Sequence, residues 1–152
     1  MTRTLIAGFG NELRGDDGFG VEVIHRLEHL RPEGVELIEV GTAGLRMAQE
    51  LMTGYDRLIV VDAMARGGKP GTLYVLEVES VETAVEVDLH LAVPSKALSV
   101  AQALGALPPK VFMVGCEPGE VEELTTGLTL PVQSAVEDAL REIQRLLAPG
   151  AA

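Results

Sequence analysis

The chain has 152 residues, of which 23 are Asp or Glu and 12 are Lys or Arg, so its formal net charge is −11. This charge excludes a typical nucleic-acid binder and an anionic membrane surface as partner, because both require a basic face. Hydrophobic residues make up 47% of the chain, which excludes a disordered protein. The composition therefore predicts one globular domain over residues 1–148, followed by a short tail at 149–152.

Short strands and helices alternate along the chain. Apolar runs and alternating patterns predict strands, in chain order, at Thr4–Gly8, Val35–Val40, Leu58–Val61, Thr72–Val78 and Lys110–Val114. Helical spacing of apolar residues follows at 21–30, 45–52, 94–104 and 131–147. A tight turn before Thr72 favours an antiparallel edge strand. The order predicts a single-domain α/β three-layer sandwich: an open, twisted, mostly parallel five-stranded sheet with helices on both faces.

The chain shows no sign of export. Its apolar start is too short for a signal peptide, and no stretch approaches the roughly 20 apolar residues of a membrane span. The lone cysteine, Cys116, cannot form an internal disulfide and follows an apolar strand, so it is predicted to be a buried packing thiol. We therefore expect a soluble cytoplasmic protein.

Acidic and imidazole side chains follow several of the predicted strands. Asp16 and Asp17 come after the first strand, Asp62 ends the third, and His90 lies in the connection after the fourth. Open α/β sheets carry their functional groups at the carboxyl ends of the strands. Asp is a preferred N-cap, so Asp16 is predicted to cap the first helix, leaving Asp17 to point into the crevice.

Two carboxylates and one imidazole form a donor set that suits a borderline divalent ion and leaves positions open for substrate. Asp17, Asp62 and His90 are therefore the candidate catalytic and metal-ligating residues. One alternative is an aspartic-type protease that uses the two acids as a dyad. Another is a nucleotide-binding module at Gly8-x-Gly10, which the neighbouring carboxylates disfavour because they would repel a pyrophosphate.

Five motifs in order make the sequence resemble the hydrogenase maturation endopeptidases, which remove a C-terminal extension from the large subunit of nickel–iron hydrogenases. The matching segments are Gly8-x-Gly10-Asn11-x-Leu13-x-x-Asp16-Asp17-Gly18-x-Gly20, Gly41-Thr42-Ala43-Gly44, Asp62, His90 with the helix up to Gly105, and the pair Gly115-x-Glu117-Pro118 and Gly127-Leu128-Thr129. The resemblance covers nearly the whole chain.

The resemblance implies a hydrolase whose substrate is a hydrogenase large-subunit precursor. It places the family's metal ligands on Asp17, Asp62 and His90, which would engage nickel that the precursor supplies; another divalent metal could occupy the site in vitro. Glu39 stands where many members have Asp, and would support the site or face the substrate. We expect a monomer with no nucleic-acid or membrane partner.

Overall fold

The computed structural model describes residues 2–41, 44–79, 92–119, 121 and 125–148. Within these residues the strands are β1 (Thr4–Phe9), β2 (Val35–Gly41), β3 (Arg57–Ala63), β4 (Leu73–Glu77) and β5 (Lys110–Cys116). The helices are α1 (Phe19–Leu30), α2 (Leu45–Leu51), α3 (Ala92–Ala103) and α4 (Leu130–Leu147). A single 3-10 turn, Gly15–Gly18, precedes α1. None of the described helices is long and apolar enough to cross a membrane.

The five strands form one sheet in the order β2-β1-β3-β5-β4. The first four of these lie parallel, and β4 pairs antiparallel with β5 at the edge, as the turn before Thr72 predicted. From β1 the chain builds outward to β2 on one side and, through β3, to β5 on the other. The strand order therefore reverses between β1 and β3, and such a switch point opens a crevice at the carboxyl ends of the two strands.

Helices cover both faces of this sheet. Alternate side chains of the central strands point to opposite faces, so Leu5 and Leu58 pack in the apolar layer under α2 and α3. Their neighbours Ile6 and Ile59 pack in the layer under α1 and α4. The predicted three-layer α/β architecture is thus confirmed.

The helix ends depart most from the sequence prediction. Leu30, Met52 and Leu104 were placed on the apolar faces of their helices, but they are 53%, 61% and 51% exposed. Leu30 is the last residue of α1, and the other two follow the last residues of α2 and α3. The apolar spacing thus continues to the ends of these helices, where the side chains are no longer covered.

Two glycines let α1 lie directly against the sheet. A Cβ at Gly8 would sit 2.5 Å from Ile24 Cγ1 and 2.6 Å from the carbonyl oxygen of Gly20. A Cβ at Gly20 would in turn sit 2.5 Å from the carbonyl oxygen of Val61. No side chain fits at either position without moving backbone, so this close approach brings the 3-10 turn against the ends of β1 and β3.

Candidate active site

Asp17 and Asp62 lie on either side of Gly10, at the switch point of the sheet. Asp62 is 9% exposed, and its Oδ1 accepts a hydrogen bond from the amide of Ala63 (2.8 Å). Asp17 is partly buried, and its Oδ2 accepts from the amide of Asn11 (3.0 Å). A Cβ at Gly10 would overlap the carbonyl oxygen of Asp17 and lie 3.6 Å from Asp62 Oδ1. Both predicted acids therefore lie beside the Gly10–Asn11 segment, and their role as a site stays a prediction.

The backbone after β1 explains why Asp17 reaches this position. Gly10 has φ of +120°, which an L side chain rarely adopts, and its amide donates to the carbonyl oxygen of Gly41 (2.9 Å). Asn11 then accepts from the amide of Leu13 through its side chain (2.9 Å) and from the amide of Arg14 through its carbonyl (3.0 Å). This tight turn leads straight into the 3-10 turn that carries Asp17.

Asp16 does not cap α1, so that prediction is wrong. Gly18 is the N-cap residue of α1, and the helix has no side-chain cap, because the 3-10 turn separates Asp16 from it. The carboxylate is fully buried and faces α4 instead. It accepts from the amide of Gly119 (2.8 Å), the amide of Thr129 (2.7 Å) and Thr129 Oγ1 (2.8 Å). Asp16 thus fixes the turn that bears Asp17 to the start of α4.

His90 lies outside the described residues, as do Thr42 and Ala43 of the second motif. Within the ranges that the structure describes, no three His, Cys, Asp or Glu side chains cluster closely enough to hold a metal ion. In the described part of the site, the backbone of Asp17 packs against Gly10, and the carboxylates of Asp17 and Asp62 lie beside Asn11 and Gly10 respectively. Carboxylate oxygens are ligands that divalent ions accept in proteins.

Glu117 is an ordering residue that the sequence indicated only as part of a motif. It is 5% exposed, and its Oε1 accepts from the amides of Arg66 (2.8 Å) and Gly68 (2.9 Å) and from the Tyr74 hydroxyl (2.7 Å). Burial raises its pKa, but these hydrogen bonds to the charged form outweigh burial, so the pKa lies below its usual value. Glu117 therefore holds the loop that follows β3 and Asp62.

Cys116 is a packing thiol, as predicted. It is 1% exposed at the end of β5, and its thiol donates to the carbonyl oxygen of Glu117 (3.6 Å). Burial raises the pKa of Cys116 to about 12, and the negative charge of Asp16 acts in the same direction. The group stays protonated at neutral pH, which does not suit a nucleophile.

Glu39 lies in β2, paired in register with Gly8 of β1. It borders a cleft of about 220 Å³ together with Gly10, Asn11 and Gly41, and its Oε1 is 3.3 Å from His25 Nε2. The side chains of His25 and Glu39 are both about 40% exposed, so this contact is open to solvent. The position of Glu39 beside the cleft fits the expectation that it supports the site or faces the substrate.

The fold and the site define an α/β protein with a mostly parallel sheet and two acids at its topological switch point. A sequence model of the family described as hydrogenase maturation protease matches residues 21–146. The hydrogenase expression/formation protein HupD of Rhizobium leguminosarum bv. viciae is 35% identical over 151 residues, covering 95% of this chain and 74% of the relative. The hydrogenase 2 maturation protease of Escherichia coli is 32% identical over 146 residues, covering 93% and 88%.

Solved structures agree. The hydrogenase maturating endopeptidase HybD of Escherichia coli superposes with a TM-score of 0.79 at 32% identity, covering 93% of this chain and 90% of that one. The [NiFe] hydrogenase maturation protease HybD of Thermococcus kodakarensis gives 0.81 at 25% identity, covering 97% and 100%. The chain belongs to the hydrogenase maturation protease family, which confirms the resemblance found in its motifs and makes it a protease-class hydrolase.

Asp16→Asn is expected to destabilise the protein. The Asn side chain would place an NH₂ group where a carboxylate oxygen of Asp16 now accepts hydrogen bonds. One of the present donors would then have no acceptor. We expect the free energy of unfolding to fall by about 1–3 kcal/mol, measured by urea denaturation. The matched control is Asp138→Asn on the exposed face of α4, which should change it by less than about 0.5 kcal/mol. Equal effects of the two substitutions would contradict the role assigned to Asp16.

Glu117 should make the protein sensitive to acid. Because its pKa is lower in the folded than in the unfolded state, its contribution is complete above the ordinary value of about 4.3 and is lost as pH falls through the folded-state pKa. Urea denaturation of wild type and Glu117→Gln should therefore give curves of stability against pH that converge in acid. Tyr74→Phe, which removes one hydrogen bond to the carboxylate, should move the loss to higher pH. Parallel curves for wild type and Glu117→Gln would refute this account.

Proposed function

We propose that this protein is an endopeptidase that removes the C-terminal extension of a nickel–iron hydrogenase large-subunit precursor after nickel insertion, and that it acts as a monomer. The observation that carries the proposal is the position of two acids at the switch point of the sheet, where Asp62 Oδ1 lies next to Gly10 and Asp17 Oδ2 accepts from the amide of Asn11. Membership of the maturation protease family supports the reaction type. The relative from Escherichia coli is by name a protease for hydrogenase 2, which supports a hydrogenase subunit as substrate.

In this proposal Asp17, Asp62 and His90 engage the nickel that the precursor carries, so the ion is part of the substrate. A divalent ion beside a peptide bond can polarise the carbonyl group or activate water. The work of this chain is to hold carboxylate oxygens at fixed positions. The hydrogen bonds from Asn11 to Asp17 and from Ala63 to Asp62 orient one oxygen of each acid. A site with so few ligands binds weakly until the precursor adds its own, so nickel-free precursor should not be processed.

The same carboxylate pair also favours a second candidate mechanism. Asp62 is buried, Asp17 is partly buried, and both lie against Gly10, so the two acids could work as an aspartic-type dyad. One carboxyl group would then hold a proton while the other activates water. This mechanism needs neither nickel nor His90, and the two mechanisms therefore differ in what cleavage requires.

A comparison of the cleavage of nickel-loaded and nickel-free precursor distinguishes the nickel-dependent mechanism from the aspartic-type mechanism. Intact mass spectrometry should show the loaded precursor shortened by the mass of its extension and the nickel-free precursor unchanged, because recognition requires the ion. Restoring nickel to the empty precursor should restore its cleavage. Equal processing of both forms, unaffected by a chelator, would instead establish the dyad.

Substitution of the three proposed residues tests each of them separately. Asp17→Asn, Asp62→Asn and His90→Ala should each lower cleavage of loaded precursor by about 100-fold or more. Each should also weaken cadmium binding, measured by calorimetry on the free protein, by at least about tenfold, since amides and alanine are poor ligands. Asp138→Asn, the same chemical change on an exposed helix face, should leave both unchanged. A variant that keeps wild-type cleavage and wild-type cadmium affinity would remove its residue from the site.

A further inference from the structure

A groove of about 600 Å³ lies between α1 and α4 and is bordered by the 3-10 turn that carries Asp17. One wall consists of the 3-10 turn and the first half of α1, and the other consists of residues 126–128 and α4. This volume is in the range of ligand-binding clefts in proteins. The metal-site residues themselves do not line it, so the site described above does not account for it.

The groove continues up to the turn that carries Asp17. Gly18, which follows Asp17 directly, lines the groove, and a Cβ there would lie 2.9 Å from Cα of Glu12. Glu12 lines both this groove and the smaller cleft at Gly10. A polypeptide in the groove would therefore reach Glu12, which also borders the cleft at Gly10.

The two walls are joined by backbone hydrogen bonds. The amide of Gly15 donates to the carbonyl oxygen of Thr125 (2.6 Å), and the amide of Thr125 donates to the carbonyl oxygen of Leu13 (3.1 Å). The carboxylate of Asp16 also accepts hydrogen bonds from the amides of Gly119 and Thr129, which lie on either side of residues 125–128 in the chain. A groove held in this way is already formed before a ligand arrives, which lowers the entropy cost of binding.

The lining combines apolar surface with negative charge. Leu13, which is 51% exposed, and the partly buried Leu128 supply apolar surface. Three carboxylates, Glu12, Glu22 and Glu137, face a single cation in the lining, Arg26, which is paired with Glu137. Among the described residues Glu12 and Glu22 form no ion pair. The groove thus has a net negative charge and suits a cationic segment with apolar side chains.

We propose that this groove binds the C-terminal extension of the precursor, and that the bound part of the extension carries Lys or Arg together with an apolar side chain. The proposal rests on the proposed function. In the proposed function the residues before the cleaved bond belong to the subunit that carries the nickel, so the extension is the part of the substrate left to lie along a groove. Its contacts there place the scissile bond beside Asp17 and supply affinity that the weak metal site lacks.

Steady-state cleavage of nickel-loaded precursor tests this. The double substitution Glu12→Gln and Glu22→Gln should raise KM about fivefold or more and flatten the increase of KM with salt that the wild type shows. Cadmium affinity should stay at the wild-type value, because neither residue is a proposed ligand. Glu28→Gln, on the exposed part of α1 outside the groove, is the matched control and should leave KM and its salt dependence unchanged.

A charge exchange gives the sharper test. Precursor in which every Lys and Arg of the extension is replaced by Glu should be cleaved poorly by the wild type and better by Glu22→Lys.

If the wild type cleaves no loaded precursor, the proposed function fails, whatever the groove does. If it cleaves and KM is unaffected in both tests, or if the extension contains no Lys or Arg, the groove proposal is overturned. A wild-type dimer in sedimentation that Leu13→Ser dissociates would also overturn it, since the groove would then hold a second copy.

Discussion

The buried carboxylate of Asp16 is the contact on which the arrangement of the site depends. A charge without solvent is costly unless hydrogen bonds compensate it, and here the amides of Gly119 and Thr129 and the Thr129 hydroxyl do so. These donors belong to the two ends of the segment that joins β5 to α4. One side chain therefore ties the turn after β1 to the C-terminal third of the chain. The orientation of Asp17 and the separation of the groove walls both follow from this tie.

Glycine positions contribute as much to the arrangement of the site as the side chains do. Gly8 and Gly20 let α1 contact β1 and β3 through backbone, which draws the 3-10 turn over the strand ends. Gly10 then lets the backbone carbonyl of Asp17 pack directly against the end of β1. Gly8 and Gly20 thus permit the contact of helix with sheet, and Gly10 permits the contact of the 3-10 turn with the strand end.

Structural features that depend only on residues close together in the sequence could be predicted from it. The apolar run Leu58–Val61 predicted a buried strand with Asp62 at its end, and the turn before Thr72 predicted the antiparallel edge strand. The partners of Asp16 could not be predicted, because Thr129 lies 113 residues further along the chain. The same holds for Glu117, whose three hydrogen bonds come from a loop and a strand some 43 to 51 residues earlier. The local sequence pattern identifies which residues end a strand. Which hydrogen-bond donors contact those residues depends on the folded structure.

The adjacent acids Asp16 and Asp17 show what separates a structural carboxylate from a candidate ligand. In Asp16 both oxygens accept hydrogen bonds, from Thr129 on Oδ1 and from Gly119 and Thr129 on Oδ2. In Asp17 only Oδ2 accepts one, from Asn11, and Oδ1 has no hydrogen-bond donor among the described residues. A carboxylate has about four lone-pair sites, so one such bond orients the group and leaves capacity for an ion. Burial alone would favour Asp16, whereas the remaining acceptor capacity favours Asp17, whose role as a ligand stays a prediction.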